Sequence, residues 1–113
     1  MTAAVVRIIA ESAEGAPDDV GWTFVLDAAL EGTALKKQMC FGFATNNEDG
    51  PTKRWPFILR PEAGKWVLDH GADSKDSPQL TNVFDREIHI GNYFTIWDGS
   101  HEITMRITQV NEL

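Results

Sequence analysis

The chain has 113 residues, of which 42% are hydrophobic and 24% charged, and its formal net charge is −7. This length and composition are typical of an ordered globular domain and exclude an intrinsically disordered chain. The negative charge argues against affinity for nucleic acid, and a single cysteine, Cys40, excludes an intramolecular disulfide.

Membrane insertion and secretion are not indicated. No apolar run reaches the roughly 18 residues of a membrane span. At the N-terminus Arg7 interrupts the short apolar run and no cationic residue precedes it, which is the wrong order for a secretory signal. We expect a single domain over residues 1–113 in the cytoplasm, with no membrane partner, no cofactor and no metal site.

Turn signals recur at short intervals, at AEGAPDD, Glu31-Gly32, NNEDGP, RPEAGK, HGADSKDSP and DGS. The segments between them are rich in Val, Ile, Thr, Phe and Trp, which is typical of all-β folds. The sequence predicts a mainly β fold, an antiparallel β-barrel or sandwich of about six or seven strands. One short helix in the first third is the alternative that this pattern leaves open.

Two segments of the first third, residues 2–12 and 24–31, fit either a strand or a helix. The first has a β-branched run that favours a strand, whereas the second, FVLDAALE, contains strong helix formers. We favour a hairpin around Glu31-Gly32 because Gly32-Thr33 would break a long helix. This hairpin turns Cys40 outward as a chemically idle thiol, and it places on the core face Trp22, Phe24, Leu26, Ala28, Leu30, Leu35, Met39 and Phe41.

The middle segment WPFILRPEAGKWVLDH predicts a hairpin over a four-residue turn, residues 61–64. This register sets Arg60 opposite Lys65 and Leu59 opposite Trp66. Opposed like charges are destabilising, so the pair suggests an anion or an acidic side chain between the two bases. The apolar residues do not alternate here, so we expect both faces of these strands to be covered.

Residues 51–68 carry four bases and one acid, so this segment has a charge of +3 while the remainder has −10. A basic strip with exposed rings is typical of sites for single-stranded nucleic acid or a small anionic ligand. The competing interpretation is that the rings are core and the bases pair with acids of the chain, and the −10 elsewhere favours it. The candidate residues of this alternative site are Lys53, Arg54, Trp55, Arg60 and Lys65.

The C-terminal segment from Gly91 to Ile107 alternates most regularly and predicts a hairpin with its turn at residues 98–99 or 99–100. Both registers give the same two faces. Asn92 is polar on the core side, so it needs a partner or a bulge. The core face collects Ile88, Ile90, Phe94, Ile96, Ile103, Met105 and Ile107, and the outer face collects His89, Gly91, Tyr93, Thr95, Trp97, Glu102, Thr104, Arg106 and Thr108.

The segment EIHIGNYFTIWDG, residues 87–99, resembles the strand–glycine–strand pattern of small β-barrels, including SH3-like, OB-like and PUA-like domains. The resemblance covers about a dozen residues and implies a barrel without implying an activity.

The outer face of this hairpin carries a tyrosine, a tryptophan and an arginine where water is expected. Cross-strand contacts or a covering strand explain such residues, but Trp, Tyr and Arg are also the types enriched at protein interfaces. We therefore predict non-catalytic binding of a protein partner, or of a second copy in a homodimer. The candidate binding residues are His89, Tyr93, Trp97, Glu102 and Arg106.

Catalytic motifs are missing from the sequence. It contains no G-x-S-x-G elbow, no phosphate-binding glycine loop and no histidine that its spacing places beside Cys40. The sequence therefore favours a protein without enzymatic activity, and a hydrolase lacking a recognisable motif stays as a second alternative.

Overall fold

The computed structural model describes residues 4–13, 21–46, 54–71, 78–99 and 101–113. The strands are β1 (Ala4–Ser12), β2 (Trp22–Glu31), β3 (Ala34–Leu35), β4 (Cys40–Asn46), β5 (Trp55–Glu62), β6 (Lys65–Asp69), β7 (Gln79–Thr81), β8 (Tyr93–Asp98) and β9 (His101–Glu112). A 3-10 helix, Val83–Asp85, is the single helical element of the described residues.

The strands form a closed antiparallel barrel. The strands pair in chain order, except that β4 pairs with β2 and not with β3. The pairing of β1 with both β2 and β9 closes a ring of eight strands, and β3 is an extra strand beside β2. The predicted mainly β fold is confirmed, with more strands than the predicted six or seven. The sequence did not indicate β3 and β7 because they have only two and three residues and give almost no alternation signal.

Both uncertain segments of the first third are strands over their described residues, 4–12 and 24–31. β1 pairs with β2 along most of its length, from Ala4 opposite Leu30 to Glu11 opposite Thr23. FVLDAALE lies in β2 because β1 and β4 bond to its two edges, and these pairings override the helix propensity of its side chains.

The faces predicted for Cys40, Met39 and Phe41 are wrong. β2 pairs first with β3, Leu30 opposite Leu35, and then with β4, Asp27 opposite Phe41, so the register moves by an odd number of residues across the bend at 36–39. An odd shift exchanges the two faces of a strand. As a result Cys40 is buried in the barrel, whereas Met39 and Phe41 are 55% and 64% exposed.

The middle hairpin turns over two residues instead of four. Ala63 and Gly64 both have positive φ, 51° and 80°, as a type I′ turn requires. Glu62 therefore lies opposite Lys65, and Arg60 lies opposite Val67, so the predicted Arg60–Lys65 pair does not form. Val67 and Leu68 are both buried, as their lack of alternation predicts.

The C-terminal hairpin has the second of the two predicted registers, with Asp98 opposite His101. Five residues of the predicted core face are buried: Ile88, Phe94, Ile96, Met105 and Ile107. Ile90 is an error of the prediction because it is 63% exposed.

The reason is a tight turn before β8. The backbone N–H of Asn92 donates to His89 O at 3.1 Å, and Gly91 has φ 95°. Strand β8 therefore begins only at Tyr93. The side chain of Asn92 donates to Glu87 O at 2.7 Å, which supplies the partner that the sequence demanded.

The two ends of the barrel differ. At one end the 3-10 helix closes the interior: Phe84 packs on Trp66 with ring centroids 4.1 Å apart, and Leu35 and Ile88 are buried beside it. We call this the closed end. At the other end the described residues surround a cavity between the ends of β2, β5, β6 and β8, and we call this the open end.

Candidate functional site

The outer face of β8 and β9 carries most of the candidate binding residues. Tyr93 lies opposite Arg106, and Trp97 lies opposite Glu102. Tyr93 is 45% exposed, Arg106 and Glu102 are exposed, and Trp97 is half-buried. The structure therefore brings these four side chains to one face.

His89, the fifth candidate, does not lie on that strand face. It is exposed in the turn before β8, with its Nε2 3.8 Å from Oε2 of Glu87. The sequence placed it outward on a strand, but the turn at His89–Asn92 ends the alternation first.

Trp97 lines a groove of about 520 Å³ on the outside of the barrel. Its partner on the neighbouring strand β7 is Leu80, which is 36% exposed. We call this feature the outer groove; the residues that define it here are Lys37, Lys65, Trp66, Leu80, Asp85 and Trp97.

The charged residues of the outer groove are two lysines and one aspartate. Neither Lys37 nor Lys65 forms an ion pair with any residue that the structure describes. The groove thus combines an apolar surface with two available ammonium groups. The sequence assigned Lys65 and Trp97 to two different candidate sites, and the structure brings them together.

The remaining residues of the alternative basic site do not converge. Arg60 donates to Asp69 Oδ2 at 2.7 Å and to Glu62 Oε1 at 3.3 Å. The hydrogen bond from Arg60, followed by one from the Gly71 amide, lowers the pKa of Asp69. Arg60 is therefore already paired with two acidic side chains of the same chain.

Arg54 and Trp55 lie in two other places. The Arg54 guanidinium covers the Phe43 ring at 4.6 Å on the outside of the barrel, whereas Trp55 lies at the open end. Lys53 is outside the described residues.

The open end of the barrel holds a second cavity, of about 200 Å³. The sequence did not predict it. Its aromatic lining is Trp22, Phe24 and Trp55, its polar lining includes His70, Gln79 and Asp98, and its aliphatic lining includes Ile96, Ile103 and Met105.

His70 is held in place by both ring nitrogens. Nδ1 lies 3.2 Å from Pro56 O, and Nε2 lies 3.1 Å from the side-chain amide of Gln79. A carbonyl oxygen only accepts hydrogen bonds, so Nδ1 carries a proton. The His70 ring also contacts Phe57 edge to face, with centroids 5.9 Å apart.

An apolar strip on the outside of β4 was also missed. Phe41 and Met39 project there, next to the Arg7–Asp27 ion pair, in which Arg7 Nε lies 2.8 Å from Asp27 Oδ1. The sequence assigned both side chains to the core because it placed no register shift before β4.

Cys40 is an unreactive thiol inside the barrel. Burial raises its pKa to about 12, so almost no thiolate forms at neutral pH. Within the described ranges, no group of three or more His, Cys, Asp or Glu side chains is arranged to hold a metal ion.

Comparison of the chain with protein-family models, with curated proteins and with solved structures gives no match. Among the residues that the structure describes, no helix has the length and hydrophobicity to cross a bilayer.

Proposed function

We propose that this protein is a non-catalytic binding module that docks a protein partner along the outer groove. The observation that supports the proposal most is the pairing of Trp97 with Leu80 on the outside of the barrel, where a groove of about 520 Å³ leaves both accessible. Tryptophan in a desolvated pocket is a frequent anchor of protein interfaces.

The face extends beyond the groove along β8. Tyr93 is four residues from Trp97 on the same side of the strand, which corresponds to roughly 13 Å. Tyr93 and Arg106 are both exposed there, and Tyr and Arg are also enriched at interfaces. An extended segment of a partner would contact Trp97 at one end of this face and Tyr93 at the other.

The charges of the groove indicate the chemistry of the partner. Lys37 and Lys65 outnumber Asp85, and the two lysines are unpaired within the described part of the chain. A matching segment carries an apolar side chain for the Trp97–Leu80 surface and a carboxylate for the lysines. The anionic-ligand alternative has less support because Arg60 is already paired. No cluster among the residues that the structure describes favours the hydrolase alternative.

Peptide selection tests this proposal. A displayed library of random peptides should yield sequences that combine Asp or Glu with Leu, Phe or Trp. Trp97→Thr should weaken their binding at least tenfold, because the anchor is lost, and Lys65→Glu should weaken it by repulsion. The matched control is Phe41→Thr, which removes a more exposed ring from another part of the barrel and should leave binding unchanged.

Sedimentation of the free protein shows whether the partner is a second copy. A dimer that dissociates in Trp97→Thr and not in Phe41→Thr would identify the chain as its own partner. Selected peptides that bind Trp97→Thr as tightly as the unmodified protein would contradict the proposal.

A further inference from the structure

The open end leaves space inside the barrel that the closed end does not. An eight-stranded barrel is just wide enough either to be filled by its own side chains or to hold one small ligand. Near the closed end the interior is filled, because Phe84 packs on Trp66. At the open end a cavity of about 200 Å³ remains between inward-facing side chains.

The inward row of β4 explains why the space is there. This row consists of Cys40, Gly42, Ala44 and Asn46, and its first three residues are small. At Gly42 the Phe57 ring takes up the room, since a Cβ there would lie 2.7 Å from that ring. Ala44, one inward position further along, borders the cavity.

The walls of the cavity are suited to an aromatic ring. Trp22 and Trp55 meet edge to face with centroids 5.6 Å apart, and Phe24 also lines the cavity. Aromatic rings favour such edge and offset contacts, and the Met105 sulfur adds a polarizable contact.

The rim of the cavity offers hydrogen-bond acceptors, of which the Asp98 carboxylate is the strongest. The Asp98 carboxylate forms no ion pair within the described ranges. The Gln79 Oε1 lies 3.1 Å from His70 Nε2, and because a side-chain amide oxygen has two lone pairs it can accept a hydrogen bond from one further donor. A ligand that donates an N–H or O–H fits this rim.

The volume sets the size of the ligand. A dry protein cavity of about 150 Å³ binds benzene. A volume of about 200 Å³ therefore admits one substituted ring or a small fused ring.

We propose that the open end is a binding site for a small aromatic molecule carrying an N–H or O–H donor, of the size of phenol or indole. The site lies inside the barrel and does not depend on the proposed role of the outer groove. The ring would rest between Trp22, Trp55 and Phe24, and its donor would face Asp98 and Gln79.

Calorimetric titration with indole and with phenol tests this site. We expect binding of one molecule per chain with a Kd below about 1 mM. The matched ligands 1-methylindole and anisole keep the rings but lack the donor, and they should bind at least tenfold more weakly. Equal affinity for a ligand and its methylated form would overturn the proposal.

Variants locate the binding. Ala44→Phe places a ring in the cavity and should abolish binding of both probes, while Trp97→Thr in the outer groove should leave it unchanged. Cooperative unfolding of each variant confirms that it folds, and if Ala44→Phe fails this test, Ile103→Phe at the rim replaces it. Absence of binding to the unmodified protein, or unchanged binding in the folded filled variant, would overturn the proposal.

Discussion

The two ends of the barrel are built from the same strands but are finished differently. At the closed end the chain crosses the interior with the 3-10 helix, and Val83, Phe84 and Ile88 are buried there. At the open end the side chains of Trp22 and Trp55 are only half-buried and surround a cavity. Among the described residues, the interior is therefore packed more completely at the closed end, and the small aromatic ligand that we propose would occupy the open end.

The largest effect is expected from removing the aromatic group that fills the closed end. Phe84→Ala should lower the free energy of unfolding by about 3–5 kcal/mol, because it leaves a cavity next to Trp66. At the open end Ile103→Ala should cost less than half as much, since Ile103 is only half-buried. Urea denaturation measures both, and equal losses would remove the distinction between the ends.

Two successive inward-facing positions of β4, Gly42 and Ala44, sharpen the comparison between the packed interior and the cavity. Gly42→Ala should cost roughly 1–3 kcal/mol or more, because its Cβ would overlap Val25 O and press against the Phe57 ring. Ala44→Val enlarges a side chain in the same row but faces the cavity, so we expect a change within about 0.5 kcal/mol. Both values come from denaturant melts, and a larger loss in Ala44→Val would show that the open end is already filled.

Thiol alkylation compares the accessibility of the two ends. Cys40 is buried and burial raises its pKa to about 12, so its reaction at pH 8 should be at least about a hundredfold slower than in the denatured chain. A cysteine introduced at the open end, Gln79→Cys in a Cys40→Ser background, should react much faster. Similar rates at the two positions would contradict the difference in packing.

The smallest effect on the free energy of unfolding is expected from the ion pairs on the outer wall. These pairs do not distinguish the two ends of the barrel. Hydrogen bonds from Arg7 and Arg60 lower the pKa of Asp27 and Asp69 below the usual carboxyl value of about 3.9. Their stabilisation is therefore complete above that pH and is lost as the pH falls through the lower, folded-state pKa values. Stability should decline below about pH 4, and less steeply in an Asp27→Asn and Asp69→Asn double variant, as followed by acid titration of the unfolding free energy.

The sequence predicted the C-terminal hairpin well because alternation and a glycine turn are local signals. Tyr93, Trp97 and Arg106 fall on the expected face for that reason. It failed at β4, where the bend at residues 36–39 shifts the register by an odd number, and nothing in the local pattern marks such a shift.

The open-end cavity was out of reach for a different reason. Trp22, Trp55, His70 and Asp98 are far apart in the chain and meet only because β1 pairs with β2 on one side and β9 on the other, closing the ring. Barrel closure is a long-range property that periodicity does not encode. The outer groove likewise joins Lys65 to Trp97 through the short strand β7, which has too few residues to be recognised.

The four tryptophans provide the most direct test of the difference between the ends. Trp22 and Trp55 line the open end, Trp66 packs at the closed end and Trp97 lies in the outer groove. In a titration of ¹⁵N-labelled protein with phenol, we expect the indole N–H signals of Trp22 and Trp55 to move while those of Trp66 and Trp97 stay in place. Movement of the Trp66 or Trp97 signal without movement of the other two would contradict an open end that accepts a ligand and a closed end that does not.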